Sequence, residues 1–175
     1  FSSLSLWLAE AGVSRSAVTF FSWAALGYSF KFVWAPLVDR LPIPVLSRLL
    51  GRRRSWLLLS QFSIIASILL MANTDPQDSL TAVAIAAVLL GFSSATQDVV
   101  IDAFRIESAE PRLQAMLSST YVAGYRTAMI VAGAGAIYLA QYFGSTTDHY
   151  SYDAWRLAYS CMAGAMLIGV ATTFS

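Results

Sequence analysis

Charge is what this chain has least of. Asp, Glu, Lys and Arg make up 12% of it, against 57% apolar residues, and the mean hydropathy is +0.62. Soluble domains carry about 25% charged residues, so a soluble globule of this composition could not cover its surface. Lipid is the solvent that tolerates it. The single cysteine, Cys161, excludes an intramolecular disulfide. The single histidine, His149, reads as a solvated loop residue, which leaves a zinc cluster and a Ser/His/Asp catalytic set without parts. A glycine-rich phosphate loop is also missing. No run alternates with period two over about ten residues, which excludes a transmembrane barrel. A net charge of +1 gives no basis for a nucleic-acid partner. No metal and no cofactor are expected. The chain starts without Met or a charged signal-peptide region, and reads as a piece of a longer protein.

What is there instead is a series of apolar runs. A bilayer core of about 30 Å needs about 20 apolar residues in a helix. Runs that meet or approach this occupy residues 17–38, 56–72, 80–102, 118–143 and 154–175, and 1–9 reads as the last turns of a preceding span. The expected fold is an all-α membrane bundle of five spans and a stub. The loops orient it. Arg40, Arg48, Arg52, Arg53, Arg54, Arg105 and Arg112 lie on one side, and only Arg15 and Arg156 on the other. The positive-inside rule makes the arginine-rich side cytoplasmic. The outer segments are acidic, with Glu10, Asp75, Asp78, Asp148 and Asp153. Trp7, Trp56 and Trp155 fall near span ends, where indoles favour the headgroup layer. The apolar, twice-proline loop Leu41–Leu50 is expected to lie on the membrane surface as a short amphipathic piece.

Four ionisable residues fall in or at the edge of spans: Lys31, Asp98, Asp102 and Arg126. Each costs roughly 2.5–3.5 kcal/mol at a helix centre. At 1.5 Å per residue, Lys31 lies roughly 10 Å from the cytoplasmic end of its span and Arg126 roughly 12–13 Å in. Arg126, between Tyr121, Tyr125 and the close-packing glycines 124, 133 and 135, cannot easily snorkel out. It needs a wet cavity or a fixed carboxylate. Lys31, the only lysine, has three options: snorkelling, pairing with Asp98, or lining a polar cavity. Asp98 and Asp102 share a helix face with Arg105, and Asp102 can pair with it directly. Catalytic carboxylate pairs usually meet across a site from separate segments, so these two do not read as an enzyme.

The motifs resemble those of a known family. A helix ending Asp39-Arg40, followed by Gly51-Arg52-Arg53-Arg54, resembles the cytoplasmic turn between helices two and three of the major facilitator superfamily, with ten residues inserted. The stretches "GYSFKFVWAPLVDRLPIP…GRRRSW", "FSSATQDVVIDAF" and "GYRTAM" resemble the AmpG-type anhydromuropeptide permeases. The eukaryotic acetyl-CoA transporters share the Lys-x-x-Trp-Ala-Pro pattern more distantly. The resemblance implies most of an N-terminal six-helix half-bundle, with a C-terminal half-bundle as its missing partner. It implies multi-pass placement in a bacterial inner membrane and proton-coupled import of N-acetylglucosaminyl-1,6-anhydro-N-acetylmuramic acid, with or without peptide, for peptidoglycan recycling. An anionic or sugar substrate of another kind, such as an acyl-CoA or a sugar phosphate, is the alternative. On this reading Lys31 and Arg126, with Tyr28, Trp34, Tyr121 and Tyr125, are the candidate substrate residues, because sugars pack on aromatic rings and cations hold carboxylates. Asp98 is the better proton-coupling candidate and Asp102 the second. Asp39, Arg40, Gly51, Arg52, Arg53 and Arg54 form the candidate gating loop.

Overall fold

The computed structural model describes residues 2–14, 29–44, 46–108, 110–146 and 149–174. These form seven helices: α1 (Ser2–Glu10), α2 (Lys31–Arg40), α3 (Leu46–Leu50), α4 (Arg52–Ala72), α5 (Leu80–Ser108), α6 (Gln114–Tyr142) and α7 (Tyr152–Phe174). Among the described residues there is no strand, only an isolated bridge between Thr146 and His149. Helices α4 to α7 are each long and apolar enough to cross a membrane. Three of them extend past the apolar runs on the cytoplasmic side. Helix α4 starts at Arg52 rather than residue 56, α5 ends at Ser108 rather than 102, and α6 starts at Gln114 rather than 118. Hydropathy marks where lipid stops, whereas backbone hydrogen bonding continues into water as long as the side chains favour a helix.

The packing puts small and polar side chains inside and large apolar ones outside. Helix α4 packs against α5 and α7, and it buries Ser55, Ser60, Gln61 and Ser67 while exposing Leu59, Phe62 and Leu70. Helix α5 buries Ala86, Ala87, Gly91 and Ser93 and exposes Ile85, Val88 and Leu89. Lipid is as apolar as leucine, so close approach and internal hydrogen bonds drive the contact rather than burial from water. The Ser63 and Ser93 hydroxyls meet across the α4–α5 seam at 2.7 Å. Gln61 Nε2 donates to Gly169 O at 3.1 Å and Thr173 Oγ1 at 3.0 Å on α7.

The core sits at the outer end, where α1 meets the termini of α4 to α7. Trp7 and Trp155 stack at 5.8 Å between centroids, and Tyr159 lies 5.0 Å from Trp7. The two indoles are 0% and 1% exposed. The expectation that Trp7 and Trp155 anchor in the headgroup layer is therefore corrected: neighbouring helix ends enclose them. Trp56 differs, being partly exposed and donating to Leu41 O at 2.8 Å. Glu10 holds the outer end together by accepting from Trp155 Nε1 at 2.8 Å and Ser145 Oγ at 2.9 Å. Gly144, at φ +103, makes the turn that brings Ser145 there. In the same layer the Tyr150 hydroxyl donates to Asp75 at 3.0 Å. Burial first, and Asp75 next to it, hold that phenol above its ordinary range. A raised phenol adds stability that is complete below the unfolded value near 10 and is lost as pH climbs beyond it.

Substituting Glu10→Ala removes two hydrogen bonds to a charged acceptor, each on the order of 1.5–3 kcal/mol. A marked fall in thermal unfolding temperature in detergent is expected, with a smaller fall for Glu10→Gln. Equal unfolding temperatures for wild type and Glu10→Ala would remove Glu10 from this role.

Candidate functional site

Two polar clusters occupy the arginine-rich half. The first follows from the turn between α2 and α4. Gly51 takes φ +81, a conformation other residues resist, and α4 begins at Arg52. That start aims Arg53 at two carboxylates. Its Nη1 reaches Asp39 Oδ1 at 2.5 Å, and its Nε and Nη2 reach Glu107 Oε2 and Oε1 at 3.2 and 2.5 Å. One guanidinium thus ties α2, α4 and α5, two-pronged toward Glu107. Its side chain is 14% exposed. Of the residues expected in the gating loop, Asp39, Gly51 and Arg53 build this tie. Arg40, Arg52 and Arg54 are exposed around it. Glu107 is the member that sequence reasoning missed. Hydropathy ends the span before it, but α5 carries it on to the face opposite Arg53. The signal that could have found it is the facing cytoplasmic segment, where Glu107 and Glu110 are the acids opposite a surplus of arginine.

The second cluster lies deeper. Lys31 Nζ is 3.8 Å from Asp98 Oδ2, so the lysine pairs across α2 and α5. Of the three options left by the sequence, pairing with Asp98 is the one the geometry displays. Tyr121 of α6 lies close to the same carboxylate. Arg105 lies over the Tyr121 ring at 5.3 Å and pairs with Asp102 at 3.3 Å, one turn along α5. Lys31, Asp98, Tyr121, Arg105 and Asp102 therefore form one chain of contacts over three helices. Trp34 packs on Phe92 beside it, with ring centroids 4.6 Å apart and planes tilted by 35°. Three buried polar atoms here, Trp34 Nε1, Gln97 Oε1 and Arg105 Nε, have no hydrogen-bond partner among the described residues.

Arg126 and Tyr125 are not part of this cluster. Both are exposed on α6, on a face with Val122, Met129 and Ile130 that no described residue covers. Tyr121 turns to α5 and not to Arg126, because five residues along a helix separate side chains by roughly 140°. Tyr28 lies outside the described residues. No group of three or more His, Cys, Asp or Glu able to hold a metal occurs among the described residues.

The two halves of the Lys31–Asp98 pair depend on each other, since a lone charge at this depth is costly. Lys31→Met should reduce the protein level in membranes, and Asp98→Asn in the same background should restore it. Failure of the second change to restore the level would show the pair to be incidental.

The description "Major Facilitator Superfamily" matches residues 1–174. A Rickettsia felis protein named "Putative transporter AmpG 4" is 40% identical over 174 residues, which is 99% of this chain and 39% of that protein. Another from the same organism, named "Putative transporter AmpG 1", is 34% identical over 81% of this chain and 32% of its own length. An uncharacterized protein of Haemophilus influenzae is 33% identical over 97% of this chain and 37% of its own. The chain thus spans under two fifths of the length of these relatives. No solved structure matches it.

Proposed function

Because the chain belongs to the major facilitator superfamily, we propose that it works as the N-terminal half-bundle of a proton-coupled importer of anhydromuropeptides in a bacterial inner membrane. The observation that carries this reading is the Lys31–Asp98 pair across α2 and α5, with Tyr121 of α6 beside it. A carboxylate held by a cation beside a phenol at membrane depth can exchange its counter-ion for a proton when the helices that bear them separate. The three partners come from α2, α5 and α6, so any rearrangement of these helices changes the carboxylate's surroundings. Asp102, tied to Arg105 nearer the interface, is the second candidate. The names of the relatives support the substrate class.

Substrate sites in this architecture lie near the membrane midplane, between two halves. Arg126 and Tyr125, exposed on α6, are the proposed contacts for an anionic sugar at such a site. Lys31, Trp34 and Tyr121 belong to the separate cluster around Asp98, and Tyr28 completes the expected set. Asp39, Arg40, Gly51, Arg52, Arg53 and Arg54, with Glu107 added, serve as the cytoplasmic latch.

Labelled N-acetylglucosaminyl-1,6-anhydro-N-acetylmuramic acid, with vesicles holding the whole protein, tests the reading. Wild type should accumulate the label against its gradient when a proton gradient is imposed. Asp98→Asn should lose that accumulation and keep label exchange at equal concentrations. Uphill uptake persisting in Asp98→Asn refutes the coupling role, and wild-type vesicles that ignore the disaccharide refute the substrate.

Arg126 separates two uses by its response to lysine. A guanidinium that grips a substrate carboxylate with two hydrogen bonds is poorly replaced by an ammonium. Arg126→Lys should then weaken binding by roughly 1–3 kcal/mol with normal protein levels. Normal binding in Arg126→Lys, with poor membrane levels in Arg126→Ala, would assign it to assembly instead.

A further inference from the structure

Beside the Arg53 tie, two cavities adjoin. One, of about 380 Å³, opens between α4, α5 and α7. Leu57, Val100, Ile101 and Phe104 wall it, with Arg54 at the cytoplasmic end and Gln97 at the inner end. The other, of about 390 Å³, adjoins the first, shares Arg53, Arg54 and Phe104 with it, and adds Arg52 and Glu107, the latter engaged by Arg53. Together they make a slot with three arginines and the Arg53-bound Glu107 outside, an apolar wall on α4 and α5, and Gln61, Gln97 and Thr173 at its inner end.

Arg53 is engaged by Asp39 and Glu107. Arg52 and Arg54 are exposed and form no ion pair among the described residues. They stand where the arginine-rich side of the protein meets the headgroup layer, whose cytoplasmic leaflet carries anionic phosphates. The first turn of α4 adds to their field: Gly51 offers no side-chain cap to its free N–H groups. A soluble anion would satisfy this outer part and leave the apolar slot unused. From Phe104 to Gln97 the slot runs about 10 Å along α5, deep enough for the glycerol end and upper part of one acyl chain.

We propose that this slot is a binding site for an acidic phospholipid, with the phosphate on Arg52 and Arg54 and an acyl chain between Leu57, Val100, Ile101 and Phe104. The lipid would bridge α4, α5 and α7 beside the Arg53 tie and stabilise that arrangement of the helices. The site shares Arg52 and Arg54 with the proposed latch but uses neither Lys31 nor Asp98, so its lipid-binding test does not depend on the coupling reading.

The test uses the whole protein, delipidated in detergent, with lipid retention followed by native mass spectrometry. Phosphatidylglycerol should bind about tenfold or more tightly than phosphatidylcholine. The double variant Arg52→Gln/Arg54→Gln should abolish that preference, and Arg52→Lys/Arg54→Lys should keep it, since a phosphate accepts a point charge. Ile101→Trp, which fills the slot, should weaken phosphatidylglycerol without restoring any preference for phosphatidylcholine. Equal binding of the two lipids, or a preference that survives the double glutamine variant, overturns the proposal. So does glycerol 3-phosphate displacing the lipid at the lipid's own affinity, which would mean a headgroup site alone. Unfolding temperatures of the lipid-free variants, with the lysine pair as the folded control, separate loss of binding from loss of fold.

Discussion

A charge carried to membrane depth must find its opposite within the protein, because lipid supplies neither water nor counter-ions. That constraint organises the arginine-rich half of this molecule. Lys31 meets Asp98, Arg105 meets Asp102, and Arg53 meets Asp39 and Glu107. Every one of these contacts except Arg105–Asp102 joins two helices. They tie α2 to α5 and α4 to both, adding to the close small-residue packing of the α4–α5 seam.

The outer half is held differently. Trp7, Trp155 and Tyr159 interlock there, and Glu10 binds the indole of one helix to the terminus of another. The two ends are thus held by different forces, aromatic packing at one and ion pairs at the other, and the proposed lipid slot lies beside the ion pairs.

Much of the site could be read in advance because its charges are so few. With a single lysine, and with Asp98 at a similar depth, the pairing of Lys31 was one of a short list of options. The Asp102–Arg105 contact followed from helical spacing alone. Glu107 could not be read the same way. Its role depends on α5 persisting past the apolar run, and hydropathy does not report where hydrogen bonding ends. Tyr121 was grouped with Arg126 because they are neighbours in sequence, yet the helix turns Tyr121 toward Asp98 and leaves Arg126 on another face.

The sequence by itself determined the solvent, the approximate position of the apolar runs and the family. These depend on composition and on short local patterns, which lipid acts upon directly. Tertiary structure decided which side of each helix meets a neighbour. Trp7 and Trp155 have the composition of headgroup anchors and became the core, since whether an indole faces lipid or another helix depends on residues distant in the chain. Arg53, and not Arg52 or Arg54, became the tie for the same reason: three consecutive arginines differ by 100° around α4, and one direction alone points at both Asp39 and Glu107.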